Sequence, residues 1–265
     1  MTSTFPLRIG IVNLMPRAET YESLLLASLA GAASQPLEVT WLRLSTPAYA
    51  SSDRARIERV YVPLAAAIEA RTLDGLIITG APVEELSFEA VTYWEELSAL
   101  LQRAREVVPS TLGLCWGGLA LARLLDIDKL VFKTKIFGVY PLEVTEPDHP
   151  LLRELAPAFL CPQSRYSGLS PADVAAAVSA GRARVLAGSA DTGTVILEST
   201  DQRFLMHTGH PEYDAERLMF EYLRDYAANV PGVGAPHNFD LDRPEATWHS
   251  ASELFFRSWC AFLRR

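Results

Sequence analysis

The stretch TLGLCWGGLALARL (111–124) puts a thiol where a strand-like run gives way to a helix-like one. An apolar run from Leu112 to Leu114 ends in Cys115; Trp116, Gly117 and Gly118 follow, and a helix-forming run from Leu119 to Leu124 comes next. A buried strand that turns tightly into a helix holds its first turn residue in a strained, exposed position, with glycines allowing close backbone approach. The first helical amides, beginning with Trp116, then point at whatever the sulfur attacks and can serve as an oxyanion hole. The positive end of the helix favours the thiolate. A small buried hydrophobe is the competing reading of any free cysteine, and it is the reading for Cys161 and Cys260, which lack this context.

A thiolate nucleophile needs a base, and the base needs an orienting partner. Of five histidines, His210 stands out in FLMHTGHPEYDAERL, after an apolar strand and before an amphipathic helix. In an extended segment residues i and i+2 project to one side, so Glu212 can hold one ring nitrogen of His210 while the other faces Cys115. Helix capping is the alternative role for Glu212. His207, at the strand end, reads as structural.

These residues need a frame. The chain has 265 residues, 49% of them hydrophobic and 21% charged, enough for one large domain over residues 1–265 with a sizeable core. A net charge of −8 leaves no basic surplus for phosphates and argues against nucleic-acid binding. No apolar run is long enough to span a bilayer, the opening MTSTFPLRIGIVNL carries no signal-peptide pattern, and three scattered cysteines fit a reducing, cytoplasmic setting with no metal cluster.

Strand-length apolar runs are expected at Leu7–Leu14, Leu37–Leu44, Gly75–Thr79 and Thr111–Cys115, and later at Arg184–Ala187, Thr194–Leu197 and Phe204–His207. Helical patterns lie at Thr20–Leu29, Ile57–Ala70 and Phe88–Val107, the last with a stripe of Val91, Trp94, Leu97, Leu101 and Ala104. Further helices are expected at Ala172–Ala180, Pro211–Asn229 and about Ser250–Leu263, with a loop over Val230–Pro244. Alternating strands and helices predict an α/β fold: a doubly wound, mostly parallel sheet with helices on both faces. Short strands and turns between about 136 and 208 add antiparallel strands at one edge. In such a sheet ligands bind beyond the carboxyl ends of the strands, where Cys115 falls.

The combination of GLIITGAP (75–82), a cysteine at a strand–helix turn and GHPE (209–212) resembles the class I glutamine amidotransferases, with their Cys-His-Glu triad and flavodoxin-like fold. More specific pieces resemble the homoserine O-acyltransferases of methionine biosynthesis, the homoserine transsuccinylases. They are IVNLMP (11–16), ITGAPVEELSFEAVTYWEEL (78–97), CWGG (115–118), KIFGVY (135–140), SRY (164–166), GHPEYDA (209–215) and the ending from Trp248 to Trp259, in order over nearly the whole chain.

The resemblance implies Cys115 as acyl-thioester nucleophile, His210 as general base and Glu212 as its partner. Lys135, Ser164 and Arg224 become contacts to the amino-acid substrate. Glu84 falls where a glutamate accompanies acetyl donors and a glycine succinyl donors. It further implies acetyl-CoA as co-substrate, no metal or other cofactor, and a homodimer. The chain departs from the family pattern at Arg17 and Ala18, where two lysines are usual, and at Leu119, Gln163, His249 and Ala251; the triad survives all these changes, while the acceptor pocket need not. The expected function is acetyl transfer from acetyl-CoA to the hydroxyl of L-homoserine. Succinyl-CoA as donor, L-serine as acceptor, a glutaminase-type amidotransferase and a non-catalytic binding protein are the alternatives.

Overall fold

The computed structural model describes residues 5–33, 35–46, 53–230 and 232–264. Its strands are β1 (Leu7–Val12), β2 (Leu37–Arg43), β3 (Val62–Pro63), β4 (Gly75–Ile78), β5 (Thr111–Leu114), β6 (Lys129–Val144), β7 (Ala158–Leu169), β8 (Ala183–Ser189), β9 (Gly193–Ser199) and β10 (Phe204–His207). Its α-helices are α1 (Ala18–Ala32), α2 (Arg54–Val60), α3 (Leu64–Ala70), α4 (Trp94–Val107), α5 (Trp116–Arg123), α6 (Pro171–Ser179), α7 (Ala215–Ala227) and α8 (His249–Phe262).

All the strands join one sheet in the order β3-β2-β1-β4-β5-β10-β9-β8-β6-β7. The first six of that order run parallel, and β9, β8, β6 and β7 extend them in antiparallel fashion. Period-2 alternation decides which helices cover which face. Leu76 and Ile78 of β4 join one core with Leu97, Leu101 and Ala104 of α4 and Leu119 and Ala120 of α5. Ile77 between them joins the other core with Leu25 and Leu29 of α1 and Phe255, Phe256 and Trp259 of α8. The α/β architecture with helices on both faces is the one expected.

Three elements differ from expectation. The helix over Ile57–Ala70 is divided, because Pro63 cannot continue α2 and biases its predecessor to extended backbone; Val62 and Pro63 pair with Leu42 and Arg43 instead. The helix over Phe88–Val107 divides into a 3-10 turn, Phe88–Ala90, and α4, with Ser87 Oγ accepting from the Ala90 amide. The short-strand region begins with a long ribbon, β6 and β7, bulged between Val131 and Ile136. Much of the first half of β6 is solvent-facing, so no clean alternation announces it. The stretch Val230–Pro244 has no helix or strand among its described residues, apart from one bridge of His237 to Gly138.

The carboxyl ends of β1, β4, β5 and β10 lie together, since Val12 is level with Ile78, Ile78 with Gly113, and Leu114 with His207. The chain steps outward from β1 to β2 and β3, then returns past β1 to β4 and continues to β5 on the other side, so the strand order reverses between β1 and β4 and makes a topological switch point.

Candidate active site

Cys115 sits between β5 and α5 with φ 50° and ψ −116°, a left-handed conformation for a residue with a side chain. The surroundings over-determine it: its amide donates to His207 O at 2.8 Å, and its carbonyl accepts from Gly118 and Leu119. Gly117 is required here, because a Cβ at that position would come within 2.3 Å of Ile78 O on the neighbouring strand. Among the described residues no turn or cap bond consumes the Trp116 amide, at the first position of α5. The Trp116 ring is fully buried, against Phe88 and Tyr93, so only the backbone of this residue is offered to the site. Gly80, past the end of β4, packs on the nucleophile: a Cβ there would lie 3.3 Å from Cys115 Cβ.

His210 lines the same cavity as Cys115, and the Cys115 sulfur acts on its ring. Its Nδ1 lies 2.7 Å from Glu212 Oε1, which leaves Nε2 for the thiol. The pairing does not use extended backbone. Residues 210–213 form a turn closed by Tyr213 N–H to His210 O at 3.1 Å, and α7 starts only after Asp214, whose carboxylate caps the Arg217 amide. Capping therefore falls to Asp214. Burial works against a charged ring, but the Cys115 sulfur and the Glu212 carboxylate outweigh it and hold the His210 pKa well above the ordinary histidine value. Tyr213 stacks on the imidazole at 4.0 Å between ring centroids. Tyr21 of α1 donates to Glu212 Oε1 at 2.5 Å.

His207 has the structural place expected of it: burial pushes its pKa down to about 3, it meets Phe255 edge-on, and its Nδ1 accepts from the Gly209 amide. Cys161 and Cys260 are buried free thiols, and burial raises both, Cys260 to about 12.

A cavity of about 730 Å³ opens above the sulfur, and Cys115, His210, Glu84, Lys135, Ser164 and Arg224 all line it. Its wall at Met15–Arg17 is set by Asn13, which donates to Ala18 O and Tyr61 OH while accepting from the Met15 amide. The three substrate-contact candidates are tied to acids that the sequence reading did not single out. Lys135 Nζ lies 2.7 Å from Asp225 Oδ2 and 3.8 Å from Glu221 Oε2. Ser164 Oγ donates to Glu221, as do Tyr213 OH at 2.9 Å and Arg217 at 2.8 Å. Arg224 pairs with Asp225 and stands half-exposed at the rim. Glu221 and Asp225 are one helical turn apart on α7, next to the exposed Arg224, so in sequence they read as a solvated helix face. Their four-residue spacing is the signal that could have found them.

Glu84 occupies the loop after β4 on the same cavity and accepts from Ser167 Oγ at 3.3 Å. Burial raises its pKa, partly offset by a hydrogen bond from the Tyr166 amide and by His210 and Lys135. Among the described residues no group of three His, Cys, Asp or Glu side chains is placed to hold a metal ion, and no helix is long and apolar enough to cross a membrane.

The arrangement is a thiol in a strained turn, a base held by a carboxylate, the Trp116 amide next to the nucleophile and a half-open pocket lined by both charges. It suits acyl transfer through a covalent enzyme. Comparison with known proteins agrees in fold and narrows the activity. A glutamine amidotransferase from Thermotoga maritima superimposes with TM-score 0.67 over 98% of this chain and 100% of that one, at 14% identity. One from Methylobacillus flagellatus gives 0.62 over 99% and 97%, at 16% identity. In sequence, homoserine O-acetyltransferase from Lactococcus lactis is 35% identical over 259 residues, covering 96% of this chain and 79% of the relative. Homoserine O-succinyltransferase from Vibrio atlanticus is 36% identical over 259 residues, covering 96% and 81%. The family model described as homoserine O-succinyltransferase matches residues 2–264. The chain belongs to that family, and its function is that of a homoserine O-acyltransferase.

Proposed function

We propose that this acyltransferase moves an acetyl group from acetyl-CoA to the hydroxyl of L-homoserine through a thioester on Cys115, as a step of methionine biosynthesis. The observation that supports this reading best is the relay Cys115–His210–Glu212 at the floor of a cavity that also presents Glu84.

The Cys115 thiolate attacks the thioester carbonyl, and the negative charge that builds on its oxygen falls beside the Trp116 amide. Coenzyme A leaves with the proton held by His210. Homoserine then enters, its hydroxyl gives a proton to Nε2 of His210, and its oxygen takes the acyl group from sulfur. Glu212, fixed by Tyr21, keeps Nδ1 engaged so that Nε2 faces the reacting atoms. An α-amino acid brings one cation and one anion. The Glu221–Asp225 pair suits its ammonium, while Arg224 at the rim, with Lys135 and Ser164 below, suits its carboxylate.

The acetyl donor is inferred from Glu84. A succinyl group brings a second carboxylate into the cavity. Two like charges about 4 Å apart repel by about 4 kcal/mol at an effective dielectric near 20. Acetyl brings none. Steady-state assays crossing acetyl-CoA and succinyl-CoA with homoserine and serine test the reading; the highest kcat/KM is expected for acetyl-CoA with homoserine, and a preference for succinyl-CoA or for serine would overturn that part.

A further inference from the structure

Tyr213 ends the turn that follows the base, lines the cavity and is buried at 4% exposure. Its backbone is held on both sides: the carbonyl accepts from Trp248 Nε1 at 2.7 Å, and the amide donates to His210 O. Its ring lies face to face with the His210 imidazole, the centroids 4.0 Å apart and the planes 22° from parallel. Its hydroxyl donates to Glu221 Oε1 at 2.9 Å, eight residues further along the chain on α7. Burial, and then the Glu221 carboxylate, hold the phenol pKa well above the ordinary tyrosine value, so the hydroxyl keeps its proton and stays a donor.

One rigid side chain therefore touches two groups that the proposed reaction uses at different moments. His210 serves both half-reactions. Glu221 serves the acceptor: its Oε2 accepts from Ser164 and lies 3.8 Å from Lys135 Nζ, the residues read as contacts to the amino acid. A bond at the far end of the phenol fixes the ring, and the ring face limits how far the imidazole can tilt. An aromatic face at this distance also favours positive charge on the imidazole. Arg217 braces the same unit, donating to Glu221 Oε1 at 2.8 Å with its guanidinium carbon 5.4 Å from the Tyr213 ring centre.

We infer that Tyr213 is a positioning residue that ties the base to the carboxylate receiving the acceptor, so that the hydroxyl of a bound amino acid meets Nε2 of His210 in line. The inference rests on the proposed route through an acetylated Cys115 and gives its second half-reaction a support of its own. In that step the acceptor O–H gives its proton to Nε2, and the acceptor oxygen bonds to the acyl carbon. The S–C bond then breaks, and its electron pair returns to Cys115. A displaced Glu221 carries the acceptor oxygen out of line with the base. Loading of the acetyl group onto sulfur takes place without the amino acid and does not need that alignment.

The test follows the two half-reactions separately by quenched-flow mass spectrometry of the intact protein: acetylation by acetyl-CoA alone, and discharge of the acetyl-enzyme by homoserine. Tyr213→Phe keeps the ring and removes only the hydroxyl. It is expected to slow discharge about tenfold or more relative to acetylation, as loss of one hydrogen bond to a charged group implies. Tyr213→Leu, which removes the stack as well, is expected to slow both. In a double-mutant cycle, adding Tyr213→Phe to Glu221→Ala is expected to slow discharge less than about threefold further, because the two act through one contact. Equal slowing of both half-reactions by Tyr213→Phe, no change in either, or losses that multiply independently across the cycle would overturn the inference. Failure of the wild type to carry an acetyl group on Cys115 would instead remove the reading beneath it.

Discussion

Tyr21 and Glu212, 191 residues apart, share a 2.5 Å hydrogen bond on the carboxylate oxygen that also holds Nδ1 of His210. The base is thus oriented by a side chain from α1, distant in sequence but packed in the same core as Tyr213, and both partners are buried. Tyr21→Phe is expected to lower kcat by about threefold to tenfold, since a hydrogen bond to a charged group is lost without loss of the carboxylate. Equal kinetics in the Phe variant would limit Tyr21 to packing.

Removing the base is expected to cost far more than removing its orienter. His210→Ala lowers kcat/KM by about a thousandfold or more, and Glu212→Ala by about a hundredfold, with folding checked by circular dichroism. A silent Glu212→Ala would detach the carboxylate from the chemistry.

The strand–turn–helix around Cys115 is legible in sequence because small residues between two apolar runs admit few other backbones. His210 and Glu212 are legible as partners, although the path between them is a turn rather than extended chain, and Asp214 takes the cap. Glu221, Asp225 and Tyr21 are not, since their roles arise only when α7, β6 and α1 converge on the sheet edge from distant parts of the chain. Pro63 marks the break between α2 and α3 by elementary stereochemistry, and the apolar positions on both sides mask it. The long β6 escapes because half of it leaves the core.

Discrimination between donors is expected to depend on pH through Glu84. Burial raises its pKa, so the side chain keeps its proton to higher pH than an ordinary glutamate. When neutral it tolerates a succinyl carboxylate, and when ionised it repels one. The acetyl-to-succinyl ratio of kcat/KM therefore rises with pH in the wild type, and Glu84→Gly raises relative activity with succinyl-CoA and flattens that dependence. A ratio that falls as pH rises would contradict this role.

Glu221 makes a stability prediction. Burial opposes its charge, but Arg217 and then Lys135 outweigh burial and lower its pKa from 4.5 to about 2. A depressed carboxylate contributes stability above its unfolded pKa, and that contribution is lost as pH falls through about 4.5 toward 2. The shift corresponds to about 3 kcal/mol. Glu221→Gln should unfold at a lower temperature than wild type near neutral pH, with the gap closing in acid; a gap that is constant with pH would show that the charge is not what matters.

The central claim is that the acyl group rests on Cys115. Intact-protein mass spectrometry after brief mixing with acetyl-CoA, without homoserine, tests it most directly. The account predicts a gain of one acetyl group, located by peptide mapping to Cys115, discharged on adding homoserine and absent in Cys115→Ser. Wild-type protein that turns over acetyl-CoA and homoserine at full rate but never carries the acetyl group, or a Cys115→Ser variant within about tenfold of wild-type activity, would contradict it.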